Sequence, residues 1–378
     1  MQRLCLSYTV ESGWSNPFPS WDSASTLVLV FGAPRFAQDH APLRAILDAF
    51  PQSHVLGCST AGEILDTSIH DESLSVAIIK FESTQLRSIA THVAAAESSY
   101  SAGLKLAVEL DQADLRAVFV LSDGLNVNGT DLVSGFNEIF DGRVVVTGGL
   151  AGDGCRFQET YVIHNGLPTS GMVCAIGFYG DKLHVGHGSR GGWDKFGHER
   201  EVTRAEGNVL FELDGKPALE VYKQYLGDRA RELPASALLF PLTIWMEGPH
   251  PEPVVRSILA VNEDEGSMIF AGDIPEGSSA QLLYANLDRV ISGAAQAAED
   301  AHLNVGGNVL AIGVSCVGRR LVLNDRTDEE LEAVLDTLAP GTQMVGFYSY
   351  GELSPTEQAR CDLHNQSMTL TTLYEEAA

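Results

Sequence analysis

The sequence has little positive charge. It contains 24 Lys and Arg against 50 Asp and Glu, so its formal net charge at pH 7 is −26. A surface with this balance repels the phosphates of nucleic acids and the anionic face of a membrane. The sequence also lacks a run of about 18 apolar residues, and residues 1–10 lack the apolar centre of a signal peptide. These absences argue against a nucleic-acid-binding or membrane-spanning protein and favour a cytoplasmic one.

Cysteine is scarce and scattered. The six cysteines form no Cys-x-x-Cys pair and lie at positions 5, 58, 155, 174, 316 and 361. A disulfide framework is therefore not expected, and buried small side chains are the simpler interpretation. Cys361 and His364 have a spacing that zinc could use, but one such pair supplies only half of a tetrahedral site. We interpret that segment as a chain reversal.

Glycine is abundant, at 37 of 378 residues, and it clusters after apolar runs. One such pattern recurs. HVLGCSTAGEI (54–64) aligns without a gap with MVGFYSYGEL (344–353), which superimposes Gly62-Glu63 on Gly351-Glu352. VTGGLAGD (146–153) is a looser third copy that ends in an equivalent Gly-Asp pair. Glycine at a strand end permits a sharp turn and a close approach of another group.

Each copy ends a strand–helix–strand unit. Apolar strands precede predicted helices, whose apolar residues recur at i, i+3, i+4 and i+7, near 39–50, 130–140 and 327–338. Thr327 and Glu330 fit a capping box at the start of the third helix. Residues 74–82 and 86–93 are predicted as two strands around a turn, as are the strands on either side of Gly180-Asp181. The predicted fold class is mixed α/β (α+β), with repeated β-α-β units and mixed parallel and antiparallel sheets.

Two further helices are predicted, at 216–227 and 286–302. We place a domain boundary near the first of these helices, around residue 210, which divides the chain into residues 1–210 and 211–378. Residues 246–253 are too rich in proline for a helix or a strand.

The residues that carry a family resemblance span the chain from about residue 25. GCSTAGEI, GGLAGDG, residues 191–227, SCVGRR, GFYSYGEL and CDLHNQSMTLTTLYE resemble a FIST protein, in both its N-terminal and its C-terminal domain, and occur in the right order. The resemblance implies a stand-alone sensory, ligand-binding protein of bacterial signal transduction. It implies no enzyme activity, and it implies output through a separate signalling protein such as a histidine kinase. A homodimer is compatible with this arrangement.

One branch of stand-alone FIST proteins, called NosP, binds haem and senses nitric oxide, and this chain has a similar layout. A haem b needs an axial ligand inside an apolar pocket. Alternation along a strand at 182–187 places His187 on the face of Leu183 and Val185, and His184 on the other face. The predicted haem site has His187 as the iron ligand, with Trp193 and Phe196 as walls. His184, His198 and then His250 are the next candidates.

The strand-end motifs form a second candidate site, for an amino acid or a similar polar metabolite. Equivalent loops of internal repeats often surround one centre, so we expect these residues to converge: Ser59, Thr60, Gly62, Glu63, Gly149, Asp153, Tyr350 and Glu352. Arg319 and Arg320 are candidates to hold a carboxylate. Two alternatives stay open. The acidic residues are turn residues preserved with the repeat, or the protein is a scaffold that senses nothing.

Ser59 in GCSTAG approaches the nucleophile-elbow pattern of hydrolases. Position 61 is alanine where that pattern requires glycine, and no helix is predicted directly after it. A catalytic serine is therefore not expected.

Overall fold

The computed structural model describes residues 1–233, 235–246, 253–305 and 307–377. Within these residues the chain forms three six-stranded sheets and one eight-stranded sheet. This mixture of helices with parallel and antiparallel strands confirms the predicted fold class. Among the described helices, none combines the length and the apolar character that crossing a bilayer requires.

The strands of the first half of the chain are β1 Gln2–Thr9, β2 Gly13–Trp14, β3 Thr26–Gly32, β4 His54–Ser59, β5 Glu63–Leu65, β6 Ser68–His70, β7 Ser73–Lys80, β8 Gln85–His92, β9 Leu115–Ser122, β10 Val145–Leu150, β11 Val162–His164, β12 Met172–Tyr179 and β13 Leu183–Arg190. Those of the second half are β14 Asp194–Glu206, β15 Val209–Leu213, β16 Lys216–Pro217, β17 Leu242–Trp245, β18 Val254–Arg256, β19 Ile258–Asn262, β20 Ser267–Phe270, β21 Ser279–Tyr284, β22 Leu310–Cys316, β23 Gln343–Ser349, β24 Gly351–Pro355, β25 Cys361–His364 and β26 Met368–Glu375. The α-helices are α1 Ala41–Ala49, α2 Val93–Ala96, α3 Ser99–Leu110, α4 Gly129–Phe140, α5 Ala218–Leu226, α6 Leu287–Asp300, α7 Val317–Leu323 and α8 Thr327–Thr337.

The predicted repeat is present as three units. In each unit two parallel strands are joined through helix, and a third strand pairs antiparallel with the first. These sets are β3, β4 and β7, then β9, β10 and β12, then β22, β23 and β26. A glycine occupies the same register position in the second strand of every unit, at Gly57, Gly148 and Gly346. A β-carbon at any of them would lie within 2.1 Å of a backbone carbonyl oxygen of the neighbouring parallel strand.

The units exchange strands in a closed ring. After the glycine–acid turn, the chain of the first unit leaves its own sheet and β5 pairs with β23 of the third unit. In the same way, β24 of the third unit pairs with β10 of the second, and β11 of the second unit pairs with β4 of the first. We call β5, β24 and β11 the exported strands, because each pairs with a strand of another unit. The first sheet therefore has the order β11-β4-β3-β7-β1-β2, the second β25-β24-β10-β9-β12-β8 and the third β13-β26-β22-β23-β5-β6.

The three sheets share a central core. Alternate residues of their strands, such as Phe31, Phe119 and Phe347, point inward, and the rings of Phe31 and Phe347 stack with centroids 4.8 Å apart. The intervening residues point outward and pack under helices. Helix α1 covers the first sheet, α3 and α4 the second, and α6 and α8 the third. Both faces of the central strands are thus buried, which explains their continuous apolar sequences.

A separate module, which we call the inserted module, lies between β13 and α6 in the chain. Strands β14–β21 form the eight-stranded sheet, and residues between Val202 and Leu282 form a hydrophobic core of their own with α5. The sequence boundary at 210/211 falls inside β15, which pairs with β14 and β20 of this sheet.

The two strands predicted around each turn are present, as β7 with β8 and as β12 with β13. The strands of each pair do not bond to each other, because β7 and β8 belong to the first and second sheets, and β12 and β13 belong to the second and third. These turns are corners between sheets, and period-2 alternation cannot distinguish them from hairpins, because it reports burial and not the pairing partner. Thr327 and Glu330 do not form a capping box. Glu330 instead pairs with the buried guanidinium of Arg319 at 2.8 Å.

Candidate functional site

The three glycine–acid turns meet one another through backbone hydrogen bonds. The amide of Ala61 donates to the carbonyl of Tyr348 at 2.8 Å, and that of Tyr350 donates to Leu150 at 3.1 Å. The amide of Gly152 donates to Ser59 at 3.0 Å, which closes the circle. The structure therefore brings the predicted strand-end residues into one region, where the three sheets exchange strands.

Glu63 and Glu352 sit at two of these turns in matching environments. The hydroxyl of Thr60 donates to one oxygen of Glu63, and the amide and hydroxyl of Ser73 donate to the other at 3.0 and 2.8 Å. The hydroxyl of Ser349 donates to one oxygen of Glu352 at 2.6 Å, and the amide and hydroxyl of Ser367 donate to the other at 3.3 and 2.9 Å. Through these hydrogen bonds each glutamate connects an exported strand to a serine of the unit from which that strand comes.

Burial changes the titration of both glutamates. It raises the pKa of Glu63 to about 7 and the pKa of Glu352 to about 8, although the hydroxyl and amide donors act in the opposite direction. Neither side chain exposes more than 1% of its surface. Their oxygens are thus occupied by internal donors.

Asp153, at the third turn, is held differently. Its first oxygen accepts from the amide of Phe157 at 2.8 Å and from the hydroxyl of Tyr350. Its second oxygen accepts from the amides of Gln158 and Glu159, at 2.8 and 3.0 Å. Burial acts to raise the pKa of Asp153, but these hydrogen bonds outweigh it and lower that pKa.

The remaining predicted residues of the strand-end site also have internal partners. Arg319 is fully buried, and its guanidinium donates to Glu330 and to the carbonyls of Gly191, Gln366 and Val290. Arg320 pairs with Asp71 at 2.7 Å. Ser59 is buried and its hydroxyl accepts from the amide of Tyr161, so it is not presented as a nucleophile.

At Gly62 and Gly149 other side chains pack closely against the backbone. A β-carbon on Gly62 would lie 2.6 Å from the guanidinium of Arg320, and one on Gly149 would lie 2.6 Å from the side chain of Val314. The strand-end residues and Arg319 thus form a packed polar centre, and none of them lines the cleft described next.

A cleft of about 820 Å³ lies where three sheets end. Its walls include residues of β13, β25 and β18, which are the edge strands of the third, second and eight-stranded sheets. We call this cavity the edge cleft. Its charged and polar lining includes His187, Arg190, Asp300, His302, Glu357 and Asn365.

His187 lies in the edge cleft, on β13. Gly186 and Gly188, its neighbours, approach helix α6 so closely that a β-carbon on either would lie within 2.3 Å of a helix carbonyl oxygen. The side chain of His187 therefore projects from the other face, as alternation predicts. Burial lowers its pKa, although the carboxylate of Asp300 acts to raise it. The imidazole is consequently neutral at pH 7.

The other residues of the predicted haem site lie apart from His187. His184 bonds Glu376 at 2.8 Å, and the indole of Trp193 donates to the carbonyl of Gln366 at 2.7 Å. Phe196 lines a different cavity, of about 660 Å³, in the inserted module, and His198 lies on the same strand β14. His250 lies outside the described residues. Within the described ranges, no three His, Cys, Asp or Glu side chains are grouped so as to hold a metal ion.

Family models match this chain over two adjacent stretches. A FIST N domain covers residues 26–216, and a FIST C domain covers residues 218–355. The chain belongs to the FIST family. It is also 27% identical over 372 residues to an uncharacterized protein of Methanocaldococcus jannaschii, MJ1623, in an alignment that covers 86% of this chain and 68% of that relative. FIST domains are sensory domains of signal transduction.

The junction of the two FIST models lies at residues 216–218, within the inserted module. The FIST N domain thus contributes the first two units, β13 and two strands of the module, and the FIST C domain contributes most of the module and part of the third unit. The edge cleft takes β13 from the first domain and β18 from the second. This FIST protein therefore presents a cavity where its two domains meet.

Several edge-cleft residues of the FIST chain were not predicted, above all Arg190, Asp300 and Asn365. They come from β13, from the end of α6 and from the turn between β25 and β26. Their convergence depends on which strands lie at sheet edges, and no local pattern encodes that. The burial of the polar turn His364-Asn365-Gln366 between two strands is likewise seen only in the structure.

Proposed function

We propose that this FIST protein is a sensor that binds a small polar metabolite, such as an amino acid or a related compound, in the edge cleft. The observation that carries the proposal is the lining of the cleft, which combines a cation, carboxylates and neutral imidazole within about 820 Å³. Ligand pockets are usually of about 300–1,000 Å³ and orient their ligands with a few polar groups. The lining therefore offers charged groups of both signs to a zwitterionic ligand.

The position of the cleft supports a sensory role. His187 and Arg190 belong to the three-sheet body, whereas Val254 and Val255 belong to the inserted module. A ligand that contacts both stabilises one arrangement of the body and the module, and this change in population is the signal. In this proposal a separate protein, such as a histidine kinase, receives it.

Haem is the second candidate ligand, because His187 supplies a neutral imidazole on the cleft wall. The rest of the lining fits a haem less well. Trp193 and Phe196 do not line the cleft, and charged and polar groups take the place of an apolar slot. We therefore rank a polar metabolite ahead of haem and nitric oxide.

Thermal unfolding of the purified protein with each of the twenty amino acids tests the first candidate, because a ligand that binds only the folded state raises Tm. We expect a concentration-dependent rise that Arg190→Ala abolishes. Arg143→Ala is the matched control, because Arg143 is also exposed and paired with an aspartate, Asp111, but lies outside the cleft.

An absorption spectrum with added haemin tests the second candidate. A shifted, intense Soret band that disappears in His187→Ala but persists in His198→Ala supports haem. A spectrum identical to that of free haemin contradicts it. If no amino acid or related metabolite changes Tm and no haem binds, the edge cleft is not a sensory site for such ligands.

A further inference from the structure

Strand β13 lies along the edge cleft with one side unpaired. It is the edge strand of the third sheet and pairs with β26, and no backbone hydrogen bond from another described segment reaches residues 183–190. Seven consecutive residues, 185–191, line the cavity. Successive side chains of a strand point to opposite faces, so a continuous run in one wall means that the edge of the strand, with its free N–H and C=O groups, faces the cavity.

Asn365 adds a second, independent observation. Its residue exposes 2% of its surface and lines the cleft, yet neither its amide nitrogen nor its amide oxygen has a hydrogen-bond partner among the described residues. Most buried polar side-chain atoms in proteins are paired, because leaving one unpaired is unfavourable. A donor and an acceptor side by side at a cavity wall match a ligand that offers an acceptor and a donor side by side.

A peptide group offers that pair. Its C=O accepts from the Asn365 nitrogen and its N–H donates to the Asn365 oxygen, while its neighbouring peptide groups extend the ladder of β13. A free amino acid has no peptide group and leaves both the edge of β13 and one side of Asn365 unpaired. The ion pair of Arg190 with Asp300, at 2.7 Å, and the carboxylate of Glu357 place charges of both signs at the cleft, where peptide termini can bind.

Resting on the function proposed above, we infer that the ligand of the edge cleft is a short extended peptide, whose main chain adds to β13 and whose peptide group pairs with Asn365. Recognition through the main chain tolerates many side chains, so the sensor responds to peptides as a class.

The test compares three probes on the full chain by thermal unfolding: a mixture of all twenty amino acids, a randomised tripeptide mixture, and the same tripeptides with N-methylated peptide nitrogens. We expect the unmodified tripeptides to raise Tm, with at least tenfold higher affinity than either other probe. N-methylation removes the N–H donors and leaves the protein unchanged, so this comparison does not depend on the folding of a variant.

Asn365→Leu supplies the matched variant, because leucine has a similar shape and no polar atoms. We expect its unliganded Tm to equal or exceed that of the native protein, since two unpaired polar atoms are removed, and the tripeptide shift to disappear. Asn262→Leu, at the end of strand β19 in the inserted module and outside the cleft, should retain the shift. A fall in unliganded Tm with an intact tripeptide shift overturns the role of Asn365.

The two proposals fail in different ways. Amino acids that raise Tm as strongly as tripeptides, in a manner lost in Arg190→Ala and retained in Asn365→Leu, overturn the peptide class and leave the polar-metabolite sensor standing. Tripeptides that bind equally well with and without N-methylation also overturn the peptide class. The absence of a shift with every probe overturns both proposals.

Discussion

The glycine–acid turns of the first and third units differ from that of the second. Glu63 and Glu352 each take two hydroxyl donors and one backbone amide, and burial raises their pKa values. Asp153 takes three backbone amides and one phenol, and its pKa is lowered. The same motif therefore ends in a group that readily binds a proton in two turns and in a fixed anion in the third.

The difference follows from the chain after each acid. Glu63 and Glu352 lie at the start of the exported strands β5 and β24, so their side chains reach across to Ser73 and Ser367. The exported strand β11 begins only at residue 162, and the intervening chain folds back so that the amides of Phe157, Gln158 and Glu159 surround Asp153. Hydroxyl groups can reverse their hydrogen bonds when the acid is protonated, whereas amides can only donate.

We expect the largest effect from replacing the glycine that the second strand of every unit has at the same register position. Gly57→Ala, Gly148→Ala and Gly346→Ala each place a β-carbon within 2.1 Å of a carbonyl oxygen in the neighbouring strand. We expect each to cost more than about 4 kcal/mol, because two parallel strands must separate. Chemical denaturation and soluble yield measure this. Gly166→Ala, whose nearest neighbour would be 3.6 Å away, is the control, and three stable core variants would contradict the shared packing.

The second largest effect is a loss of stability that should differ between the turn of Asp153 and the turn of Glu63. Asp153→Asn turns an NH₂ group toward a backbone amide whichever way the side chain is oriented, because both oxygens accept from amides. We expect a loss of about 3 kcal/mol in the free energy of unfolding at pH 7. Glu63→Gln should cost about 1 kcal/mol, since its NH₂ group can face the hydroxyl of Thr60. Equal losses in urea denaturation would mean that the two environments are equivalent.

The pH dependence sharpens the same comparison. The folded pKa values of Glu63 and Glu352, about 7 and about 8, lie above the ordinary glutamate value of 4.5. Between pH 5 and 8 the folded state therefore holds protons that the unfolded state has lost, and these groups make stability fall as the pH rises. Buried histidines with lowered pKa values, such as His187, act in the opposite direction below about pH 6.5.

The double variant Glu63→Gln, Glu352→Gln isolates the contribution of the two glutamates. We expect its stability relative to the native protein to increase by on the order of 6 kcal/mol between pH 5 and pH 8, because both folded pKa values lie well above 4.5. Urea denaturation at four pH values across this window measures the difference. A constant difference would show that both acids are ionised throughout. Asp153→Asn serves as the control, because a lowered pKa predicts no such trend in this window.

The smallest effect concerns the connection between units. The hydroxyl of Tyr350, in the third unit, donates to Asp153 of the second, and its ring stacks on Phe157 at 4.6 Å. Tyr350→Phe keeps the ring and removes the hydroxyl, so we expect a loss of about 1 kcal/mol. In the Asp153→Asn background the same change should cost less, because the charged acceptor is gone. Additive losses in this double-mutant cycle would show that the two groups do not interact.

Local patterns predicted much of the fold. Helices α1, α4, α5, α6 and α8, the three repeated units and the turn glycines follow from periodicity and from internal repetition. Pairing across the molecule did not follow, because the exported strands β5, β11 and β24 have the composition of any short strand. Their sheets are set by contacts between residues far apart in the sequence.

The candidate site was predictable only in part. Alternation along the strand was sufficient to predict which face of β13 carries the side chain of His187. Arg190 and Asn365 were not predicted, because the convergence of separate elements and burial without a partner are visible only in three dimensions. Glu330 was assigned to a helix cap for the same reason, since the charge that it neutralises comes from another helix.

The exchange of strands among the units also sets an order of events at the ribosome. Strand β5 is made early, but its partner β23 is made only after the inserted module, and β10 waits equally for β24. Until then both present unpaired edges, which readily recruit strands of other chains. The third sheet needs β26 between β13 and β22, so it closes only after residues 368–375 have emerged. A nascent chain of this topology therefore keeps unpaired strand edges until its last strands are made, and homologues that form the same ring should do so as well.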